Sequence, residues 1–462
     1  MRPLRLLARA IKTAVLWYWI FNVLRLSSSV LLLPLLLGCL SKADLGMYFV
    51  FIALTQIVPV LDFGLAPNVE RNVAYAMAGA RELQSMGMSE TPGTGTPNIP
   101  LLWTLFRTVR SLYRRLAVVS FLILGAVGTW AVSIHVAETT WPTGTWIAWF
   151  ISLIAAISEI YLGWWTNFLI GMNQPLSAAK FATVGYSLNL LLACILLKTG
   201  FGLLSIPIAS LISNLLQRTL NRKATLKVLG DFPETGDGSD VASLLRTLWP
   251  NIWRMGSLLL ANYVTVNLIV FIPMFGLGTN ADYGLSLRLI TAVQTISAIW
   301  VYVKWPRIAQ LNNLGEVSQM ESILRPRFWL QTLTFFSLAA CVVSLGPILL
   351  RRYFPDKQLL PLPWLGWLVL NAFFQMSFTF WTTLLWMQNR IPSFVPTIIT
   401  QVAALGLLTV LIARTNLGVA AFIIAPLVCG AVFNYWFWWR EGARMLKTTV
   451  PGFLFQRSQP SI

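Results

Sequence analysis

The chain is a succession of apolar runs about twenty residues long, separated by short polar breaks, without the ten-residue alternation of a membrane β-strand. Each run is long enough for a helix rising 1.5 Å per residue to cross a hydrocarbon core of about 30 Å. Twelve spanning helices are predicted. The first six lie near 15–38, 46–61, 113–136, 144–170, 176–197 and 201–217, and the other six near 250–274, 281–303, 329–350, 364–387, 393–413 and 416–438. The second run is short and breaks at Asp62, Gly64 and Pro67. Two polar stretches rich in Gly, Pro, Ser and Thr, 82–100 and 230–243, read as flexible connections. The second divides the spans six and six. This predicts an N-terminal six-helix lobe at 1–229, a linker at 230–249, a C-terminal six-helix lobe at 250–440 and a tail at 441–462. The quartet Ala43-Asp44-Leu45-Gly46 follows the first run, and Ala281-Asp282-Tyr283-Gly284 follows the seventh. Because each half holds an even number of spans, the halves enter the membrane in the same sense.

Composition narrows the class. With 462 residues, 56% hydrophobic and 11% charged, the chain is too apolar for a soluble protein and too long for a single anchor, so an all-α integral membrane protein is expected. Four scattered cysteines and one histidine, His135, offer neither a disulfide framework nor a metal motif. No catalytic residue, metal or cofactor is expected. The net charge of +18 is spread over the loops and forms no dense block, which argues for membrane lipids and against nucleic acid as the partner. With the N-terminus placed inside, 25 of the 34 Lys and Arg fall on the inner side, six on the outer side and three within spans. That asymmetry predicts a multi-pass protein with cytoplasmic termini. Residues 1–14, alternating basic residues with leucine, are expected along the anionic inner leaflet, and most of the 21 tryptophans, which include Trp164, Trp165, Trp436, Trp438 and Trp439 near span ends, in the interfacial belt.

The charges inside the spans are the candidates for chemistry. Arg25 is the one charge in Trp17–Leu37, about 12–15 Å into the first helix. Tyr18, Asn22, Arg25 and Ser29 share a polar stripe, so the guanidinium is expected to face a wet cavity or a partner helix. Either it is an anion site or it is a structural arginine capped by carbonyls. Arg254 and Arg288 also sit on small or polar stripes, near opposite ends of the seventh and eighth spans, as a ladder of cavity cations or as interface anchors. Glu159 lies on the face Ser152, Ala156, Glu159, Gly163, Thr166. It reads as a partner for Arg25, as a site for a coupling proton or sodium ion, or as a plain structural pair. Asp62 is read first as the cap of a broken helix and second as a coupling-ion site. Asn371, Gln375 and Thr382 form a stripe on the tenth span that suits sugar hydroxyls or ordinary interhelical bonding.

Two stretches carry a family resemblance. The run LLLPLLLGCLSKADLGMYFVFIALTQIVPVLDFGLAPNVERNVA resembles the opening of bacterial polysaccharide and O-antigen flippases of the multidrug/oligosaccharidyl-lipid/polysaccharide (MOP) exporter superfamily. There a proline-containing first span leads through an acidic-glycine turn to a second span ending in Asp-x-Gly-Leu, here Asp62-Phe63-Gly64-Leu65. The stretch ADYGLSLRLITAVQTISAIWVYVKWPRIAQL resembles the family's eighth span, with Tyr283, Arg288 and the Pro306-Arg307 exit. The last four spans carry no such motif. The resemblance implies a two-lobed bundle that carries a polyprenyl-diphosphate-linked oligosaccharide across the cytoplasmic (inner) membrane by alternating access for surface polysaccharide assembly, with other assembly proteins as partners. Arg25, Arg254 and Arg288 are then expected to hold the diphosphate, since arginine forks bind phosphate oxygens in pairs. Asn22, Ser29, Asn371 and Gln375 would line the cavity. The competing readings are a cation-coupled drug exporter or a peptidoglycan-precursor flippase of the same superfamily and, from another class, a membrane-embedded glycosyltransferase or polymerase. Short outer loops without clustered carboxylates disfavour the last.

Overall fold

The computed structural model describes residues 17, 20, 21, 24, 32–62, 65–79, 96–230, 253, 256, 257, 260, 261, 263–265, 267, 275–313, 316–386 and 392–455. Among these, all regular structure is helical. The chain divides into two compact units, Met1–Tyr263 and Val264–Ile462.

In the first unit, α1 (Lys42–Thr55) starts at Ser41, whose extended backbone and side-chain oxygen cap the helix by accepting from Asp44 N at 3.0 Å. It continues after Gln56 as α2 (Ile57–Leu61), turns at Asp62 and resumes as α3 (Leu65–Met77). There follow α4 (Ile99–His135), α5 (Pro142–Gly171), α6 (Pro175–Lys198) and α7 (Ser205–Leu229). Proline in the first turn of α4, α5 and α6 fits their starts, because the missing N–H has no partner there anyway. In the second unit, α8 (Leu277–Tyr302) is followed by the short α9 (Trp305–Asn313), then α10 (Val317–Tyr353), α11 (Leu362–Trp386) and α12 (Phe394–Arg414). The last elements are α13 (Ala421–Val432), α14 (Asn434–Met445) and α15 (Val450–Phe455).

Nine helical segments among the described residues are long and apolar enough to cross a membrane, and Gly418–Val432 with Asn434–Met445, bent by 41°, makes a tenth. These coincide with ten of the twelve predicted spans. The first and seventh lie largely outside the described residues. The protein is therefore a multi-pass membrane protein, all-helical in its described residues.

The order of elements repeats. In each unit a spanning helix leads into a short amphipathic one, α3 or α9, and then into a helix of 37 residues, α4 or α10. The quartet repeat plays the same part in both. Asp44 accepts from Thr140 N at 3.2 Å and from Thr140 Oγ1, tying α1 to the loop between α4 and α5. Asp282 accepts from Gln358 Nε2 at 3.1 Å, tying α8 to the loop between α10 and α11. Ser286, one turn on, accepts from Leu360 N at 2.9 Å in that same loop.

Two sequence expectations need correction. Apolarity places the third span of each half near 113–136 and 329–350, but α4 starts at Ile99 and α10 at Val317. Their N-terminal ends are amphipathic and so escape a test for uniform apolarity. Arg107, Arg110, Arg325 and Arg327 consequently sit on helix and not on loops. The second correction concerns tryptophan. Trp164 and Trp165 stack at 4.0 Å inside the core that α3, α4 and α5 share, with Phe106 edge-on to Trp164 at 5.1 Å, and they are not belt residues. The extension of α4 supplies the wall that buries them. In the second unit Trp438 is likewise buried and Trp439 is half-buried, in a core with Phe328, Phe380, Trp381 and Phe453, while Trp436 is exposed.

Candidate functional site

The first unit holds an open cavity of about 550 Å³ lined mainly by α1, α5, α6 and α7. That is within the range of sites for small molecules and headgroups. Its polar wall is built on α7, where Ser210, Ser213, Asn214, Gln217 and Arg218 recur at helical spacing on one face. From α6, Asn189 Nδ2 donates to Ser210 Oγ at 3.2 Å and to Ser213 Oγ at 3.1 Å, fixing both hydroxyls. The two helices meet closely because residue 185 is glycine. A β-carbon there would lie 2.9 Å from Gln217 Cβ. Tyr48 of α1 and Tyr186 of α6 add hydroxyls, and Phe21 and Phe51 add aromatic surface.

Two charges face each other in this wall. Arg218 lies about 20 Å along α7 and its side chain is 13% exposed, whereas the Glu159 side chain on α5 is 45% exposed. Glu159 Oε1 stands 4.0 Å from Arg218 Nη2, too far for a direct hydrogen bond. Arg218 Nη1 donates to Thr166 Oγ1, which also accepts from Asn221 Nδ2 at 2.7 Å. Arg218 Nε is buried without a hydrogen-bond partner. The wall therefore offers one held cation, one more exposed carboxylate and a row of neutral donors and acceptors.

Asp62 lies at the turn between α2 and α3 and is not in the cavity wall. Its Oδ2 accepts from Ala66 N at 3.0 Å, as a cap, and its Oδ1 accepts from Tyr113 OH at 2.6 Å. Burial raises its carboxyl above the ordinary value despite both bonds, and it raises Glu70 on α3 in the same direction, helped by the charge of Asp62.

The other sequence candidates fall elsewhere. Arg25, Asn22, Ser29 and Arg254 lie outside the described residues. Arg288 is half-buried on α8 in the second unit. Asn371 and Gln375 meet at Tyr435, whose OH donates to Asn371 Oδ1 at 2.9 Å. With Thr397, Gln401 and Asn434 nearby, Gln375 borders a pocket of about 20 Å³, room for one water. Among the described residues no group of His, Cys, Asp and Glu has the arrangement of a metal site.

Sequence reasoning missed Arg218. The apolar run ends the sixth span near residue 217 and puts Arg218 on the inner connection, yet α7 runs to Leu229. The signal was present: Ser210, Ser213/Asn214, Gln217, Asn221 and Thr225 continue one helical stripe across that supposed end.

No protein-family model and no curated protein sequence matches the chain. Solved structures do. An inward-facing multidrug resistance MATE family transporter of the MOP superfamily is 14% identical with a TM-score of 0.62, the match covering 95% of this chain and 100% of that one. The lipid II flippase MurJ in an inward closed conformation is also 14% identical with a TM-score of 0.62, over 92% of this chain and 86% of that one. An outward-facing MATE transporter of the MOP superfamily gives 14% identity and a TM-score of 0.55, over 96% and 99% of the two chains. The chain is thus a multi-pass membrane protein with the fold of the MATE and MurJ transporters. At this identity the likeness is one of fold.

Proposed function

We propose that this protein is a flippase of the cytoplasmic membrane that translocates a polyprenyl-diphosphate-linked oligosaccharide by alternating access during surface polysaccharide assembly. The observation that carries this reading is the wall of the first-unit cavity, where a largely covered arginine stands beside a row of amides and hydroxyls. Arginine suits the phosphate oxygens of such a substrate, and Ser210, Ser213, Asn214, Asn189 and Gln217 suit sugar hydroxyls. The shared fold with both MATE transporters and MurJ supports a transporter rather than an enzyme, and a proton or sodium gradient is the proposed driving force. Other polysaccharide-assembly proteins are the proposed partners.

A second reading, a cation-coupled drug exporter, is favoured by Glu159 together with Phe21, Phe51, Tyr48 and Tyr186, which could receive an aromatic cation. Proteoliposomes separate the two. With fluorescent polyprenyl-diphosphate oligosaccharide in one arm and a cationic dye in the other, the lipid-linked sugar is expected to change leaflets and the dye to stay put. Dye transport without lipid movement would overturn the proposal. Movement of lipid II in preference to the oligosaccharide lipid would reassign the substrate to peptidoglycan precursor.

A further inference from the structure

The arrangement around Arg218 is unusual for a charge that is only structural. A guanidinium cannot shed its proton, so burying it leaves a permanent cation whose donors must be occupied. Nη1 is occupied by a neutral hydroxyl, that of Thr166. The opposite edge, formed by Nε and Nη2, is the one that grips an oxyanion in parallel bonds. On that edge Nε has no partner and Nη2 meets Glu159 only at 4.0 Å. The counter-charge is therefore near enough to balance the arginine and too far to bond to it. Glu159 is also the more exposed of the two, so it can move toward the cavity without unpacking α5.

We infer that Arg218 is an anion seat for a phosphoryl group, and that Glu159 is its stand-in counter-charge, displaced when the phosphoryl oxygens arrive. The physiological ligand, a phosphoryl-linked sugar, rests on the flippase reading; the seat itself rests on the geometry. The neutral donors lie in the right order for such a ligand. Asn214, Ser213 and Ser210 precede Arg218 by four to eight residues on α7, which is about 6 to 12 Å along the helix. A sugar attached to a seated phosphate would lie against them. Glu159 then gives the site a selectivity rule: a neutral sugar leaves the pair in place, a cation is drawn to the carboxylate, and only an anion takes over the arginine.

The test is titration of the full-length protein in lipid nanodiscs with inorganic pyrophosphate, followed by calorimetry at low and at physiological salt. Four proteins are compared: wild type, Arg218→Gln, Glu159→Gln and Arg222→Gln. Arg222 is one turn further along, rests over the Trp165 ring and does not line the cavity, so it controls for net charge. Wild type is expected to bind, Arg218→Gln to bind about tenfold or more weakly, Glu159→Gln to bind several-fold more tightly, and Arg222→Gln to match wild type. Absence of binding to wild type, unchanged binding in Arg218→Gln, or weaker binding in Glu159→Gln would each overturn the seat, the last by marking Glu159 as a cation ligand. Glu159→Gln keeps the test decisive if Arg218→Gln does not fold. The flipping assay is run in parallel. Pyrophosphate binding without movement of the oligosaccharide lipid removes the flippase reading and leaves the seat, whereas full flipping by Arg218→Gln removes the seat and leaves the reading.

Discussion

Single side chains decide how this chain is held where its helices break. Asp62 closes the α2–α3 turn with two bonds, one to the backbone of Ala66 and one from Tyr113. Replacing it with alanine is expected to lower stability by about 1 to 3 kcal/mol, since the cap is lost and the tyrosine hydroxyl loses its acceptor. The melting temperature in detergent measures this. Its pH dependence follows from the direction of the shift. Because burial raises the folded carboxyl above its ordinary 3.8, the folded chain holds that proton more tightly than the unfolded chain does. The stabilisation is complete below 3.8 and fades as pH rises through the folded value, so Asp62→Asn should lack this fade while keeping most of the cap. A melting curve of wild type that shows no extra loss over Asp62→Asn across that window would contradict the assignment. Asp62 was legible as a cap from the sequence because Asp, Gly and Pro cluster after an apolar run. Its tyrosine partner was not, because Tyr113 is 51 positions away and only the fold brings them together.

Among elements, some close approaches depend on glycine. At Gly171, the end of α5, an added β-carbon would lie 2.6 Å from Val73 Cβ and 2.7 Å from the Glu70 carbonyl of α3. Gly171→Ala is therefore expected to destabilise the protein by about 1 to 3 kcal/mol, because backbone must move to admit it. Gly163, on the same helix, has nothing within 4 Å of such a carbon, so Gly163→Ala should be neutral or slightly stabilising. Melting temperatures of the two variants, compared side by side, check the contrast. Glycine spacing alone does not distinguish these positions. Apolar run length located the spans well but fixed their ends poorly, since α4, α7 and α10 all continue as amphipathic helix beyond the apolar part. The misjudged end of α7 hides Arg218, and the misjudged start of α4 makes Trp164 and Trp165 look like belt residues. In each case the neighbour that buries the residue is remote in sequence, and hydropathy has no access to it.

At the scale of the whole molecule the chain uses one plan twice. The acidic residue of each quartet ties its span to the loop after the 37-residue helix of its own half. The two ties are not equal. Asp44 is buried and bonds both the backbone and the hydroxyl of Thr140, while the Asp282–Gln358 bond is exposed. Asp44→Ala is expected to cost about 1 to 3 kcal/mol and to raise hydrogen exchange in the first unit, and Asp282→Ala about 1 kcal/mol or less, with exchange raised only in the second. Equal effects, or exchange that rises in the untouched unit, would argue against independent ties. Four residues of repeated sequence were enough to mark where the plan recurs. They could not show which loop each aspartate reaches, because Thr140 and Gln358 share no motif.

The length of α4 and α10 has a mechanical consequence. A rod of 37 residues measures about 55 Å, so roughly 25 Å of it projects past a hydrocarbon core of about 30 Å. Tilting such a rod by about 10° carries its far tip through about 10 Å. Small rearrangements among packed side chains at one end are thereby geared up into displacements as wide as a helix at the other.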